Sequence, residues 1–156
     1  MATKAIIRFA EREEGVSFSE HPQNVTHQIY HHYDGYPEFL GVALSEFISE
    51  RDKEKYDNPN RLFNGTDCLA AQVLTHLKLG IHYGKCSIDA YNVYLETPEP
   101  PDVCLTRCVD YIYYIWTKNE TNEVWISIFD YTGDCIFVGQ PQKLTFKYKL
   151  NTNDDR

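Results

Sequence analysis

The hydrophobic period of this chain changes twice, and the order of the changes limits what it can fold into. From Lys4 to Asp34 the apolar residues fall in short, roughly alternating runs. Between Pro37 and Leu79 they recur at three- and four-residue spacing, and beyond Ser87 β-formers return. Period two reads as strand and period 3.6 as helix. Strands, then two helices, then strands predict an α+β domain, with a mostly antiparallel sheet and both helices packed on one face. A chain of 156 residues fits one domain over residues 1–150, followed by a polar, disordered tail over 151–156.

Lys4 to Ala10 predicts a first strand, Glu11 to Gly15 a charged turn, and Val16 to Phe18 a short returning strand. Val25 to Asp34 predicts the next strand. The helix from Pro37 to about Lys53 shows an apolar stripe of Leu40, Leu44, Phe47 and Ile48. Gly41 lets that helix approach the sheet. Lys53 to Gly65 reads as an exposed loop. Thr66 or Asp67 caps a second helix through Leu69, Val73 and Leu77, ended by Gly80. Ser87 to Leu95, Cys104 to Lys118, Val124 to Tyr131 and Cys135 to Val138 read as strands. Leu144, Phe146, Tyr148 and Leu150 alternate as a last one.

A net charge of -8 is the reverse of what a general nucleic-acid binder carries. No apolar run approaches the ~20 residues of a membrane span, and the opening residues are too short and too charged for a signal peptide. The expected location is the cytoplasm. Five cysteines in a reducing compartment predict free thiols. Cys104 and Cys108 form C-x3-C without a second pair, so no metal site and no cofactor are expected. Twelve tyrosines favour half-exposed sheet faces and binding surfaces, because each ring carries a polar tip.

Within Ile29 to Pro37 the chain reads Ile-Tyr-His-His-Tyr-Asp-Gly-Tyr-Pro. In a strand this places Tyr30, His32 and Asp34 on one face, beside a turn at Gly35 and a helix start at Pro37. Three readings stay open. Tyr30, His32 and Asp34 can do acid–base chemistry as a small hydrolase or phosphodiesterase, although same-face neighbours lie ~7 Å apart and no Ser or Cys nucleophile is near in sequence. Alternatively the segment binds a nucleotide-like ligand without turnover, using Tyr30, His32, Asp34, Gly35 and Tyr36, with Lys4, Arg8, Lys85 or Arg107 supplying positive charge and the protein acting as a homo-oligomer. A third reading is an acidic inhibitor that imitates phosphates before a nucleic-acid-binding protein partner, through Glu11–Glu14, Glu46–Glu54 and Asp154–Asp155. Each competes with a purely structural role, in which Asp34-Gly35 makes a turn with positive φ at Gly35 and His32 bonds the backbone.

The pattern Tyr30-x-His32-x-Asp34-Gly35-Tyr36-Pro37, with Thr3-Lys4 before it and Asp110-Tyr111-Ile112-Tyr113 after it, resembles a set of small uncharacterised proteins of tailed phages and their bacterial hosts. The resemblance brings no family activity. It implies a context, that of a bacteriophage accessory protein which neutralises a host defence in the host cytoplasm. The chain departs from that set by His31 and Tyr33 between the motif positions and by the polar loop after the first helix.

Overall fold

Six strands form one sheet in the order Val93–Glu96, Val25–His31, Ala5–Glu11, Tyr111–Lys118, Thr121–Asp130 and Cys135–Gly139. The computed structural model of the chain describes residues 2–57, 63, 65–79, 92–100, 107–118 and 121–149. Its elements are β1 (Ala5–Glu11), β2 (Val25–His31), α1 (Val42–Asp57), α2 (Gly65–Leu79), β3 (Val93–Glu96), β4 (Tyr111–Lys118), β5 (Thr121–Asp130), β6 (Cys135–Gly139) and α3 (Pro141–Lys149). Only β1 and β4 pair in parallel; the other neighbours are antiparallel, so the fold is α+β with a mostly antiparallel sheet. The two central strands are buried on both faces, as strands covered on both sides are, with Arg8 the one charged residue inside β1.

One face carries the helices. Ile7 and Phe9 of β1, Ile29 of β2, Tyr113 and Ile115 of β4 and Ile126 and Ile128 of β5 meet Leu40, Leu44 and Ile48, Leu69, Val73 and Leu77, and Leu144 and Tyr148. The predicted stripes of both helices are the residues that pack there. The chain enters α1 through a π-helical turn, Pro37–Gly41, with Pro37 in its first turn. A Cβ on Gly41 would meet Leu144 Cδ2 at 3.3 Å and Tyr113 Cε1 at 3.5 Å, so glycine lets this turn lie against both sheet and helix. Thr66 does not cap α2 with its hydroxyl, which instead bonds Thr117 at 2.7 Å and Glu11 at 3.2 Å and ties the helix to the sheet.

Three helices, not two, cover this face among the described residues. The segment expected as the last strand is α3. Leu144 and Tyr148 are four apart and buried, while Phe146 between them is 73 % exposed. Pro141 sits in the first turn, where its missing N–H costs nothing. Ser45 and Thr145 share a 2.5 Å hydrogen bond that seats α3 on α1.

The opposite face has no helix among the described residues, yet it is covered. Residues 12–24 contain no strand, so the one expected at Val16–Phe18 does not form. Val16 and Phe18 pack instead against Ile6, Ala10, Ile112, Trp116 and Phe129 and their neighbours. Other boundaries shift by a few residues: the strand expected over 25–34 ends at His31, and α1 continues to Asp57. Gly80, most of 87–92, Cys104, the 119–120 turn, Leu150 and the 151–156 tail lie outside the described residues. Cys68, Cys108 and Cys135 are free thiols.

Candidate functional site

The helix-free face of the sheet holds a row of polar side chains that strand alternation alone would leave apolar. Pairing sets Glu96 beside Gln28, Gln28 beside Arg8, Arg8 beside Tyr114 and Tyr114 beside Ser127, from β3 to β5. Arg8 is 1 % exposed. Its guanidinium donates to Gln28 Oε1 at 2.8 Å and to the Glu99 carbonyl, and it lies 5.7 Å from the Tyr114 ring centre. Gln28 donates in turn to Glu96 at 3.1 Å. Arg107 closes the row with two parallel bonds to the Glu96 carboxylate, at 2.7 and 2.9 Å. Burial pushes the Glu96 carboxyl up, but the bonds from Arg107 and Gln28 outweigh it and hold the group below the usual carboxylate range. Such a row is what a buried charge requires, since a guanidinium taken out of water must find acceptors.

Two residues further along, on the same face, the sheet presents rings. Tyr94 of β3 pairs with Tyr30 of β2 and stacks on it, centroids 5.0 Å apart and planes inclined by 27°. Tyr30 Oη and His32 Nδ1 share a 2.8 Å hydrogen bond. His32 meets Tyr33 edge-on at 4.5 Å. Tyr94, Tyr30, His32 and Tyr33 thus form a continuous ring series. The inner ring, Tyr30, is buried; the ends are open, Tyr94 by 45 % and Tyr33 by 44 %. The Arg107 guanidinium lies 5.8 Å from the Tyr30 ring centre, close enough for a cation–π contact. Burial raises the Tyr30 phenol pKa, helped by Tyr94, Glu96 and Asp110 and opposed by Arg107.

The sequence-predicted site residues separate into two groups. Tyr30 and His32 come together, because the long tyrosine side chain reaches from β2 to the residue just past its end. Among the described residues the His32 ring bonds Tyr30 and not Asp34. Asp34 lies past the end of β2 and takes the left-handed backbone conformation, φ 54°. The positive φ expected at Gly35 belongs to Asp34. Gly35 is required for a different reason: a Cβ there would meet Ala5 Cβ at 2.7 Å and the Thr3 carbonyl at 2.8 Å. Its N–H donates to Thr3 at 2.9 Å and its carbonyl accepts from Tyr113 Oη at 2.6 Å. Gly35 therefore fastens the motif turn to β1 and β4. Tyr36 caps the π-helical turn and meets Phe39 at 5.9 Å. Arg8 sits in the interior row, its charge held by Gln28 and Glu99.

Sequence reasoning missed Tyr94, Gln28 and Glu96, and took Arg107 only as a local positive charge. Arg8 carried a usable signal: it is a charged residue in a strand whose neighbours, Ile6, Ile7, Phe9 and Ala10, are all apolar. No three of His, Cys, Asp and Glu are grouped to hold a metal ion among the described residues. Nor is any helix there long and apolar enough to cross a membrane. Compared with known proteins, the chain matches no family model, no curated protein and no solved structure.

Proposed function

We propose that this protein binds a nucleotide-like ligand on the ring series Tyr94–Tyr30–His32–Tyr33 and sequesters it without turnover, as a bacteriophage accessory protein acting against a host defence. The observation that supports the reading is that the series is continuous and both terminal rings stand about half open to water. An exposed tyrosine face backed by a second, fixed ring is a preformed stacking platform for a base. Arg107 and Glu96 hold each other, so the contact rests on stacking more than on a phosphate clamp.

The test is calorimetric titration of the protein with a panel of linear and cyclic nucleotides, followed by heat release and chromatography of what was bound. Recovery of an intact nucleotide is expected. Tyr94→Ala should weaken binding by roughly 1–3 kcal/mol, the range for loss of one base–aromatic stack. Unchanged binding in Tyr94→Ala, or no retention of any nucleotide, would remove the reading. The Tyr30–His32 hydrogen bond favours a second one. A phenol bonded to an imidazole can pass a proton at a half-exposed surface, as a small hydrolase would need. An altered product on release, lost in His32→Ala, would be its signature.

A further inference from the structure

Residues 12–24 cross the helix-free face of the sheet without joining it. Among the described residues, their one backbone bond to a strand is Arg12 N–H to the Thr117 carbonyl, 2.8 Å, at the entry; Val16 and Glu20 donate to Glu13 and Ser17 within the segment itself. Rings attach the rest. Phe18 lies parallel on Trp125, 3° between planes and 4.6 Å between centres, and edge-on to Trp116 at 5.4 Å. His21 stacks on Phe129 at 4.1 Å, and its Nδ1 shares a 2.7 Å hydrogen bond with Tyr114 Oη. Pro22 is buried beside it, whereas Ser17, Ser19, Glu20, Gln23 and Asn24 face solvent. The segment is a strap with two ring anchors, and one anchor is titratable.

We infer that residues 12–24 form a strap latched by His21, and that a second proton on that imidazole opens the strap and uncovers the aromatic face formed by Trp116, Trp125, Tyr114 and Phe129. The charged and titratable groups around the latch set the direction. Arg8 approaches from β1 and is itself packed on the Tyr114 ring. Tyr114 approaches from β4; β5 contributes the apolar Phe129; Glu20 precedes His21 on the strap and is exposed. Among the described residues no carboxylate meets the ring to welcome an imidazolium, while the Arg8 guanidinium opposes it. Burial first, and the Arg8 charge second, accordingly lower the His21 pKa. The open strap, with His21 in water near its ordinary value of about 6.5, binds the proton more readily than the closed one. Closure is therefore fully favoured above about 6.5 and is lost as pH falls through that value towards the closed-state one, the open population rising up to tenfold per pH unit between them.

The chain's two tryptophans both touch Phe18 and report on the strap. The experiment is acrylamide quenching of their fluorescence across a pH titration, with far-ultraviolet circular dichroism on the same samples. Quenching should rise below about pH 6.5 while the dichroism holds. His21→Phe keeps a ring on Phe129 and His21→Gln keeps a partner for Tyr114; neither can take the proton, and both should lose the pH dependence. Amide exchange of residues 12–24 in the unsubstituted protein, followed against the imidazole resonance of His21, should change with the same midpoint. Flat quenching in the unsubstituted protein, an identical transition in both variants, or strap exchange that ignores the His21 titration would overturn the proposal. So would loss of dichroism at the same pH, since the event would then be global unfolding.

Discussion

The two faces of the sheet are covered by opposite means. On the helix side, apolar stripes from three helices meet apolar residues of all six strands, and the contact is almost wholly hydrocarbon. On the other side, a strap and the Glu99 backbone meet the row of Arg8, Gln28, Glu96, Tyr114 and Ser127, all buried or half-buried and all hydrogen-bonded. The first kind of cover stabilises without choosing geometry finely, since burying one large aliphatic side chain is worth about 1.5–3 kcal/mol wherever it fits. The second works only when each donor finds its acceptor, so it fixes strand register and side-chain positions while contributing little net energy per bond. The ring series starts from this second face at Tyr30, whose hydrogen bond to His32 is of the same kind. The molecule thus separates what holds it together from what it presents.

Substitutions on each side sharpen that contrast. The largest effect is expected from Leu44→Ala, which removes a fully buried side chain at the centre of the helix face. It should cost about 2–5 kcal/mol in urea unfolding, through lost burial and the cavity left behind. Nucleotide binding at Tyr94, measured well below the denaturation midpoint, should be unaffected. Arg8→Met comes next. It keeps the buried volume roughly filled but leaves Gln28 Oε1 and the Glu99 carbonyl without this donor, at about 1–3 kcal/mol. Its distinguishing result is a loss of order around β3: the Tyr30–Tyr94 stack should loosen, read as faster exchange of the Tyr94 and Glu96 amides. If Arg8→Met leaves those amides as protected as before, the polar row does not set the register and the contrast between the faces fails.

Much of this was readable in the residues, and the failures have physical reasons. β1 and the core of β4 are unmistakable, because Ile6-Ile7 and Tyr111 to Trp116 are strong β-formers buried on both faces. The stripes of α1 and α2 were equally plain. Val16 and Phe18 mimic a strand because two apolar residues at period two are all that a short strand shows. They serve instead as anchors, and anchoring to Trp116 and Trp125 leaves no local trace. Tyr30 and His32 could be placed together from parity alone. Asp34 could not, since parity stops where the strand stops and a left-handed residue redirects the chain. Tyr94, Glu96 and Arg107 were out of reach for another reason. Their partners Tyr30 and Gln28 lie more than sixty residues away in sequence, and the register joining β2 to β3 is a property of the folded sheet.

The end of the chain supplies the smallest expected effect, and one that divides two readings of the same residues. Leu144, Phe146 and Tyr148 satisfy a strand, with three side chains on one face, and also a helix, because positions 144 and 148 are one turn apart. In a strand packed on the core, Phe146 would be as buried as its neighbours, and a polar replacement would cost as much as one at Leu144. In α3 it points to water. Phe146→Ser should then shift unfolding stability by no more than about 0.5 kcal/mol, as surface substitutions away from special features do. A penalty of several times that size would mean that Phe146 is covered in solution, and the helix side would extend further than the three-helix layer shows.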